Sequence, residues 1–323
     1  MEVAANELGA VVGHAGAKLE FLAAVDSGKL HHGWLLRGSR GVGKARLAIQ
    51  FAMHLLGAGD GQLAATADTS VGRLIAAGSH PDFRIIRRPI DDKGKQKSEI
   101  PVDSVRELSE FFAMRPAMGG WRVAIIDAVD EMNRHGENAI LKTLEEPPSR
   151  AVLFLISHGE QLLLPTIRSR CRVLRCGALG ETQTLQALAQ AGVNSARADA
   201  VARIAPGRPG RAIELESADA GAAADAISMA VRSLSDPDAR SLQTALTQAA
   251  KSDASMAAAM EALRLSLQKR AARELDPTIA GDWASAALDV MRIDAEAQAL
   301  NQDRAQTVAA ALSRVSRLAR SSG

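Results

Sequence analysis

The sequence predicts an α/β domain on a five-stranded parallel sheet over residues 1–178, followed by two all-helical domains. Three observations predict it. Five short apolar runs of four to seven residues, rich in Val, Ile and Leu, punctuate the first half. Stretches of helical periodicity separate them. From about residue 179 onward the pattern is alanine-rich and helical, with no convincing strand. Continuous apolar runs of this length suit strands buried on both faces, and helical crossovers between them imply parallel pairing.

The elements follow in order. The first strand is Trp34–Arg37, the second Phe83–Arg87 and the third Arg122–Asp127, reading RVAIID. The fourth is Ala151–Ser157, reading AVLFLIS, and the fifth is Cys171–Arg175. Gly57–Ser79, rich in Gly, Ala, Ser, Thr and Asp, reads as loop, as does the polar stretch Asp91–Lys97. Glu145 and Glu146 before Pro147 and Pro148 mark a helix end. Neighbouring carboxylates do not face each other on a helix, so they imply no acid/base pair. In the helical half, APGRPG at Ala205–Gly210 is one break and Ser233–Ser241 a weaker one. The reading is a small helical lid domain over 179–226 and a larger helical collar domain over 227–323 that carries oligomerisation.

Composition narrows the function classes. The 323 residues carry 39 basic and 37 acidic side chains, for a net charge of +2. That excludes a uniformly basic nucleic-acid binder and an acidic tail protein. Aromatics are 3% with no tyrosine, which disfavours a row of base-stacking rings. The two cysteines, Cys171 and Cys176, cannot build a four-cysteine zinc site or a disulfide framework, and they read as reduced thiols. The seven histidines show no metal-ligand spacing. No basic leader followed by an apolar stretch opens the sequence, and no window is long and apolar enough to span a membrane. The expectation is a soluble cytoplasmic protein.

The strongest local signal is GSRGVGKA, Gly38–Ala45, directly after the first strand. Gly38, four residues, Gly43 and Lys44 give the spacing of a loop whose backbone N–H groups cradle phosphates, with the lysine reaching the terminal ones. Gly41 lies within it. The helix that begins near Lys44 aims its positive end at the anion. The residue after the lysine is Ser or Thr where a hydroxyl holds Mg²⁺. Here it is Ala45. At the end of the third strand, Asp127 stands where such folds place a metal-binding acid, and the water-polarising glutamate usual after it is replaced by Ala128. With both catalytic positions alanine, the expectation is a nucleotide-binding fold that does not hydrolyse. Weak ATP or ADP binding without productive Mg²⁺ is compatible with the loop.

Three further motifs bring a family into view. HHGWLL at His31–Leu36, NAILKTLEEPP at Asn138–Pro148 and TIRSRC at Thr166–Cys171 resemble the AAA+ clamp-loader ATPases of bacterial DNA polymerase III. The likeness covers the first 178 or so residues, and the helical remainder only in architecture. It implies an open ring of five subunits with ATP at the interfaces. The partners implied are motor subunits (gamma/tau), a delta subunit, the sliding clamp and primed DNA. It also implies that Arg170, the arginine of the Ser-Arg-Cys triplet, reaches into a neighbouring motor subunit's ATP site as an arginine finger. The motor subunits keep the hydroxyl and the Asp-Glu pair that this chain lacks, so the resemblance is to a non-motor member. A divergent ATP-hydrolysing motor subunit, or an AAA+ adaptor outside replication, is the competing reading.

Departures from the family pattern carry expectations of their own. Many relatives hold a four-cysteine zinc module between the loop and the third strand. Here that segment has no cysteine and one histidine, His80, so neither zinc nor any other metal site is expected. Ser157 falls where active relatives sense the γ-phosphate. It reads either as a weak sensor or as a plain strand-end hydroxyl. In the lid, Gly210 occupies the position of an arginine that contacts the subunit's own nucleotide, with Arg208 and Arg211 on either side. Lys142 and Thr143 read as facing DNA, a neighbour or solvent.

Overall fold

The computed structural model describes residues 3–4, 7–58, 63–64, 66–90, 97, 99–159, 164–216, 218–232, 239–300 and 302–321. The chain forms two compact units, Met1–Val193 with Gly207–Gly210, and Asn194–Pro206 with Arg211–Gly323.

The first unit alternates as predicted. Its elements run α1 (Ala15–Asp26), β1 (Gly33–Arg37), α2 (Lys44–Leu55), α3 (Ser70–Ala76), β2 (Phe83–Arg87), α4 (Val102–Ala113) and β3 (Arg122–Asp127). A single 3₁₀ turn, Val129–Glu131, leads to α5 (Arg134–Glu145). Then come β4 (Ala151–Ser157), α6 (Pro165–Ser169), β5 (Arg172–Arg175) and α7 (Glu181–Gln190). All pairings are parallel, in the order β2-β3-β4-β1-β5.

Alternation of side chains across the pleat builds two cores. Trp34, Leu36, Ile85, Val123, Ile125, Phe154 and Ile156 face one layer with Phe21, Leu47 and Phe51 of α1 and α2. Leu35, Ile86, Ala124, Ile126, Leu153 and Leu155 face the other with Phe112, Ile140 and Ile167 of α4, α5 and α6. The central strand β4 is buried along its whole length, which is why AVLFLIS carries no polar residue until its last position. At the heart of the first core, Phe21 and Phe51 stack at 4.0 Å, with Phe154 5.9 Å from Phe21.

One predicted loop contains a helix. Within Gly57–Ser79, α3 is capped by Thr69, whose hydroxyl accepts from the Gly72 amide at 3.0 Å, and it buries Val71 and Ile75. The small residues that suggested a loop are there for close packing: a Cβ on Gly72 would lie 2.2 Å from the Thr66 carbonyl oxygen. In the second predicted loop, Asp91–Gln96 lie outside the described residues.

After β5 the described residues form helices and the turns between them, with no strand among them. The series is α8 (Ser195–Ile204), α9 (Pro209–Glu214), α10 (Ala218–Arg232), α11 (Ala239–Ala249), α12 (Asp253–Arg273), α13 (Pro277–Leu300) and α14 (Arg304–Ser321). In the second unit α10 packs on α12, and α12 on α13. Small side chains, among them Ala223, Ala230, Ala258, Ala259, Ala286 and Ala311, let the helix axes approach closely. Trp283 is the one large ring of that core, with the Arg270 guanidinium 4.5 Å from its centroid. The boundary expected at 226/227 falls inside α10, because no glycine or proline lies between Gly221 and Pro237. The boundary expected at 178/179 lies just before α7, which groups with the first unit.

Candidate functional site

Parallel strands leave their carboxyl ends on one edge of the sheet, and the crevice there is where such folds bind ligands. Gly38 follows β1 at that edge, Asp127 ends β3 and Ser157 ends the strand between them, β4. The loop, the acid and the strand-end hydroxyl expected from sequence therefore share one edge.

The loop is held by its glycines. Gly38, Gly41 and Gly43 have φ of 156°, 85° and 102°. A Cβ on Gly38 would lie 1.9 Å from the Cys176 carbonyl oxygen, so only glycine fits there. Gly43 starts α2 from the left-handed region. Lys44 is buried, and its Nζ donates to the carbonyls of Gly38 at 2.6 Å and Ser39 at 2.8 Å. The lysine thus ties the loop to itself. His14 Nε2 lies 2.8 Å from the Val42 carbonyl oxygen, which links the loop to the start of α1.

Burial pushes the Lys44 ammonium down to about 8, with Cys176, Asp127 and Asp130 pulling it up and Arg40 pushing it down. Below about pH 8 both the folded and the unfolded chain hold this proton, and the burial penalty is fully present. As pH rises toward the ordinary value of 10.5 the folded chain sheds the proton first, and the penalty is relieved. Lys44→Met should therefore stabilise the first unit by about 1–3 kcal/mol near pH 7, and its advantage over the parent should shrink toward about pH 10. Urea denaturation of both proteins across that range measures the gap. An advantage that grows with pH would contradict this account.

The acids at the same edge are all engaged. Arg87 ends β2 as the register partner of Asp127. Its Nε donates to Asp127 Oδ2 at 3.2 Å, and its two terminal nitrogens grip both carboxylate oxygens of Glu7, Nη1 to Oε2 at 3.0 Å. Burial raises the Asp127 carboxyl above its usual range, opposed by Arg87 and reinforced by Glu7. Asp130 accepts the Ser157 hydroxyl at 2.8 Å and the amides of His158 and Gly159. Ser157 is fully buried, and this bond to Asp130 fixes the direction of its hydroxyl. Glu131 lies 2.7 Å from Arg88 Nε and 3.8 Å from Arg40. His158 is pushed down to about 3 by burial and by Lys44, Arg40 and Arg88, so it is a neutral imidazole in the physiological range.

These residues do not fit Mg²⁺ as phosphate-loop enzymes hold it. Ala45 offers no oxygen, Asp127 is paired with a guanidinium, and Ala128 is a buried methyl group. Among the described residues no three His, Cys, Asp or Glu side chains are grouped to hold a metal ion. His80, the histidine of the segment without cysteines, is buried and accepts the Asp82 amide at Nδ1.

Gly210, expected at the position of a nucleotide-contacting arginine, touches the loop through its backbone instead. Its N–H donates to the Gly41 carbonyl at 2.9 Å, and a Cβ there would stand 3.1 Å from that oxygen. Of its neighbours, Arg208 is buried and Arg211 pairs with Glu214 at 2.9 Å. Lys142 is exposed on α5 and Thr143 half-buried.

Arg170 lies elsewhere. It follows α6 and precedes β5, at the amino end of the sheet, where its carbonyl oxygen would be 3.3 Å from a Cβ on Gly33. Gly38 is a full strand away, about 16 Å at the rise of an extended chain. The Arg170 side chain is 35% exposed; Nη1 donates to the Thr166 carbonyl at 2.9 Å, and Nη2 is 2.8 Å from Glu145 Oε1 at the end of α5. The structure therefore gathers Gly38, Gly41, Gly43, Lys44 and Asp127 at one edge and sets Arg170 at the other.

Sequence reasoning passed over Glu7, His14 and Arg87. Arg87 left a readable trace, since it and Asp127 close adjacent runs and parallel strand ends meet. Glu7 left none, because its partner lies 80 residues away in the chain.

A parallel sheet whose first strand turns into a glycine-lysine loop, with an acid two strands away, defines a phosphate-loop α/β protein. The family described as DNA polymerase III, delta subunit, matches residues 13–179, and the chain belongs to that family. It is 38% identical over 160 residues to a DNA polymerase III subunit delta' of Pseudomonas aeruginosa, covering 50% of this chain and 47% of that one. It is 30% identical over 201 residues to the subunit delta' of Escherichia coli, covering 62% and 59%. A subunit tau/gamma of Haemophilus influenzae is 36% identical over 161 residues, 50% of this chain and 22% of that one. Each match thus spans less than two thirds of the relative's length. No helix among the described residues is long and apolar enough to cross a membrane.

Proposed function

We propose that this chain is the non-catalytic, delta-prime-type subunit of a bacterial DNA polymerase III clamp loader. It helps place a sliding clamp on primed DNA by lending Arg170 to the ATP site of a neighbouring gamma/tau motor subunit. The observation that carries this reading is the position of Arg170. It is a strand's length from its own phosphate loop, partly exposed, and steadied by Thr166 and Glu145. A planar guanidinium makes two parallel bonds to phosphate oxygens and neutralises charge that develops on a transferring phosphoryl group. The delta' and tau/gamma relatives support a place among DNA polymerase III subunits, and we assign as partners the gamma/tau motor subunits, a delta subunit, the sliding clamp and primed DNA within the assembly. We assign ring assembly to the C-terminal helices, whose exposed Met229, Leu288 and Met291 offer apolar surface, and place the protein in the cytoplasm. No cofactor is required on this reading: no zinc, and at most weak ATP or ADP without productive Mg²⁺.

The competing reading, an ATP-hydrolysing motor subunit, predicts turnover by the chain alone. We expect none. Steady-state phosphate release by the purified chain, with ATP and Mg²⁺, should match the no-protein blank and be unchanged in Lys44→Ala. Release well above the blank that Lys44→Ala abolishes would favour the motor. Co-purification with gamma/tau and delta subunits tests the assignment to the loader.

A further inference from the structure

We propose that Glu7 and Asp127 form a latent divalent-cation site whose place is taken by the guanidinium of Arg87. Three observations carry it. The Arg87 side chain lies between the two carboxylates, with Nε on Asp127 and both terminal nitrogens on Glu7. Strand register fixes the arrangement, since Arg87 and Asp127 are paired at the ends of β2 and β3. The other acids near Asp127 are committed: Asp130 to Ser157 and two amides, Glu131 to Arg88 and Arg40.

A divalent ion needs oxygen ligands at about 2.1 Å and several waters. On Asp127 it would sit beside a guanidinium already within hydrogen-bonding distance of Oδ2, and the like charge opposes it. The guanidinium stays charged at every working pH and, unlike a metal, cannot dissociate. Charge at this edge is thus neutralised whatever the free cation concentration. Two further cations are close enough to add positive charge here, Lys44 to Asp127 and Arg46 to Glu7. The site exposed by removing Arg87 should therefore be a weak one. The inference stands or falls without reference to Arg170 acting on a neighbour.

Mn²⁺ binding to the full chain tests it, read from the loss of the free-ion paramagnetic resonance signal. The parent should bind no more Mn²⁺ than Asp127→Asn. Arg87→Gln shortens the side chain and removes its charge, and should gain a site in roughly the millimolar range, at least about tenfold tighter than any binding by the parent, lost again in Arg87→Gln/Asp127→Asn. Mn²⁺ should also raise the melting temperature of Arg87→Gln and leave the parent's unmoved. If Arg87→Gln does not fold, Arg87→Met, uncharged and closer to arginine in size, carries the same comparison. Asp127-dependent Mn²⁺ binding by the parent would overturn the proposal. So would a folded Arg87 variant that gains none.

Discussion

Arg170→Ala should slow ATP turnover by about 10³–10⁵-fold at one site of a reconstituted clamp loader, the site this subunit serves. The other sites have arginines of their own, so total DNA-stimulated hydrolysis should fall by a fraction. Clamp loading should fall more steeply if the sites must fire together. Assembly should persist, because Arg170 lies on the α/β unit and not on the helices assigned to the ring. Arg170→Lys should rescue poorly, since an ammonium cannot reproduce the forked geometry. Glu145→Gln removes a half-exposed ion pair and should cost far less, because such pairs contribute about 1 kcal/mol or less. A complex carrying Arg170→Ala that hydrolyses and loads at parental rates with saturating ATP would sink the trans-acting role.

The largest stability effect should come from Asp82→Ala, at about 3–5 kcal/mol. Asp82 stands just before β2 and is 1% exposed. Its Oδ1 is 3.3 Å from Nε of Arg122, which opens β3 and is equally enclosed. The carboxylate also accepts the amides of Ala117 at 2.8 Å and Met118 at 2.9 Å. Arg122 adds bonds to the carbonyls of Phe111 and Arg115 and lies 4.7 Å from the Phe111 ring centroid. Truncating Asp82 leaves a buried guanidinium uncompensated and two loop amides without their acceptor. Asp82→Ala/Arg122→Met should recover part of the loss, because the unpaired charge goes with the second change. Urea unfolding followed through Trp34 and Trp121, both in this unit, reads the difference. A loss below about 1 kcal/mol would show that the pair is dispensable.

The inner strands β1, β3 and β4 were legible because each buries both faces and so keeps an almost unbroken apolar run, whereas the edge strands β2 and β5 showed only shorter apolar pairs between arginines. The phosphate loop was legible because its chemistry is local: glycines for the turn, a lysine at its end and a helix after it. What the sequence concealed depends on distant partners. Glu7 becomes part of the site only through Arg87, and Gly210 only through the carbonyl of Gly41. No spacing rule connects such pairs. In α3, composition misled because its small residues serve close packing rather than a turn. The helical half was legible as helix, but alanine packs equally well within a domain and across a boundary, so composition did not mark the change of compact unit between Val193 and Arg211.

The order of strands bears on synthesis. β1 has no partner until β4, since Gly33 pairs with Leu153, roughly 120 residues later. At about 5–20 residues per second, a ribosome takes some 6–24 s to supply it. Through that interval the apolar segment Gly33–Arg37 waits unpaired, although β2 and β3 can already pair with each other. β5 then closes the far side of β1 as soon as it emerges. Nascent chains stalled short of Ser157 should therefore stay protease-sensitive around Trp34, and protection should arrive in one step as β4 and β5 clear the exit tunnel.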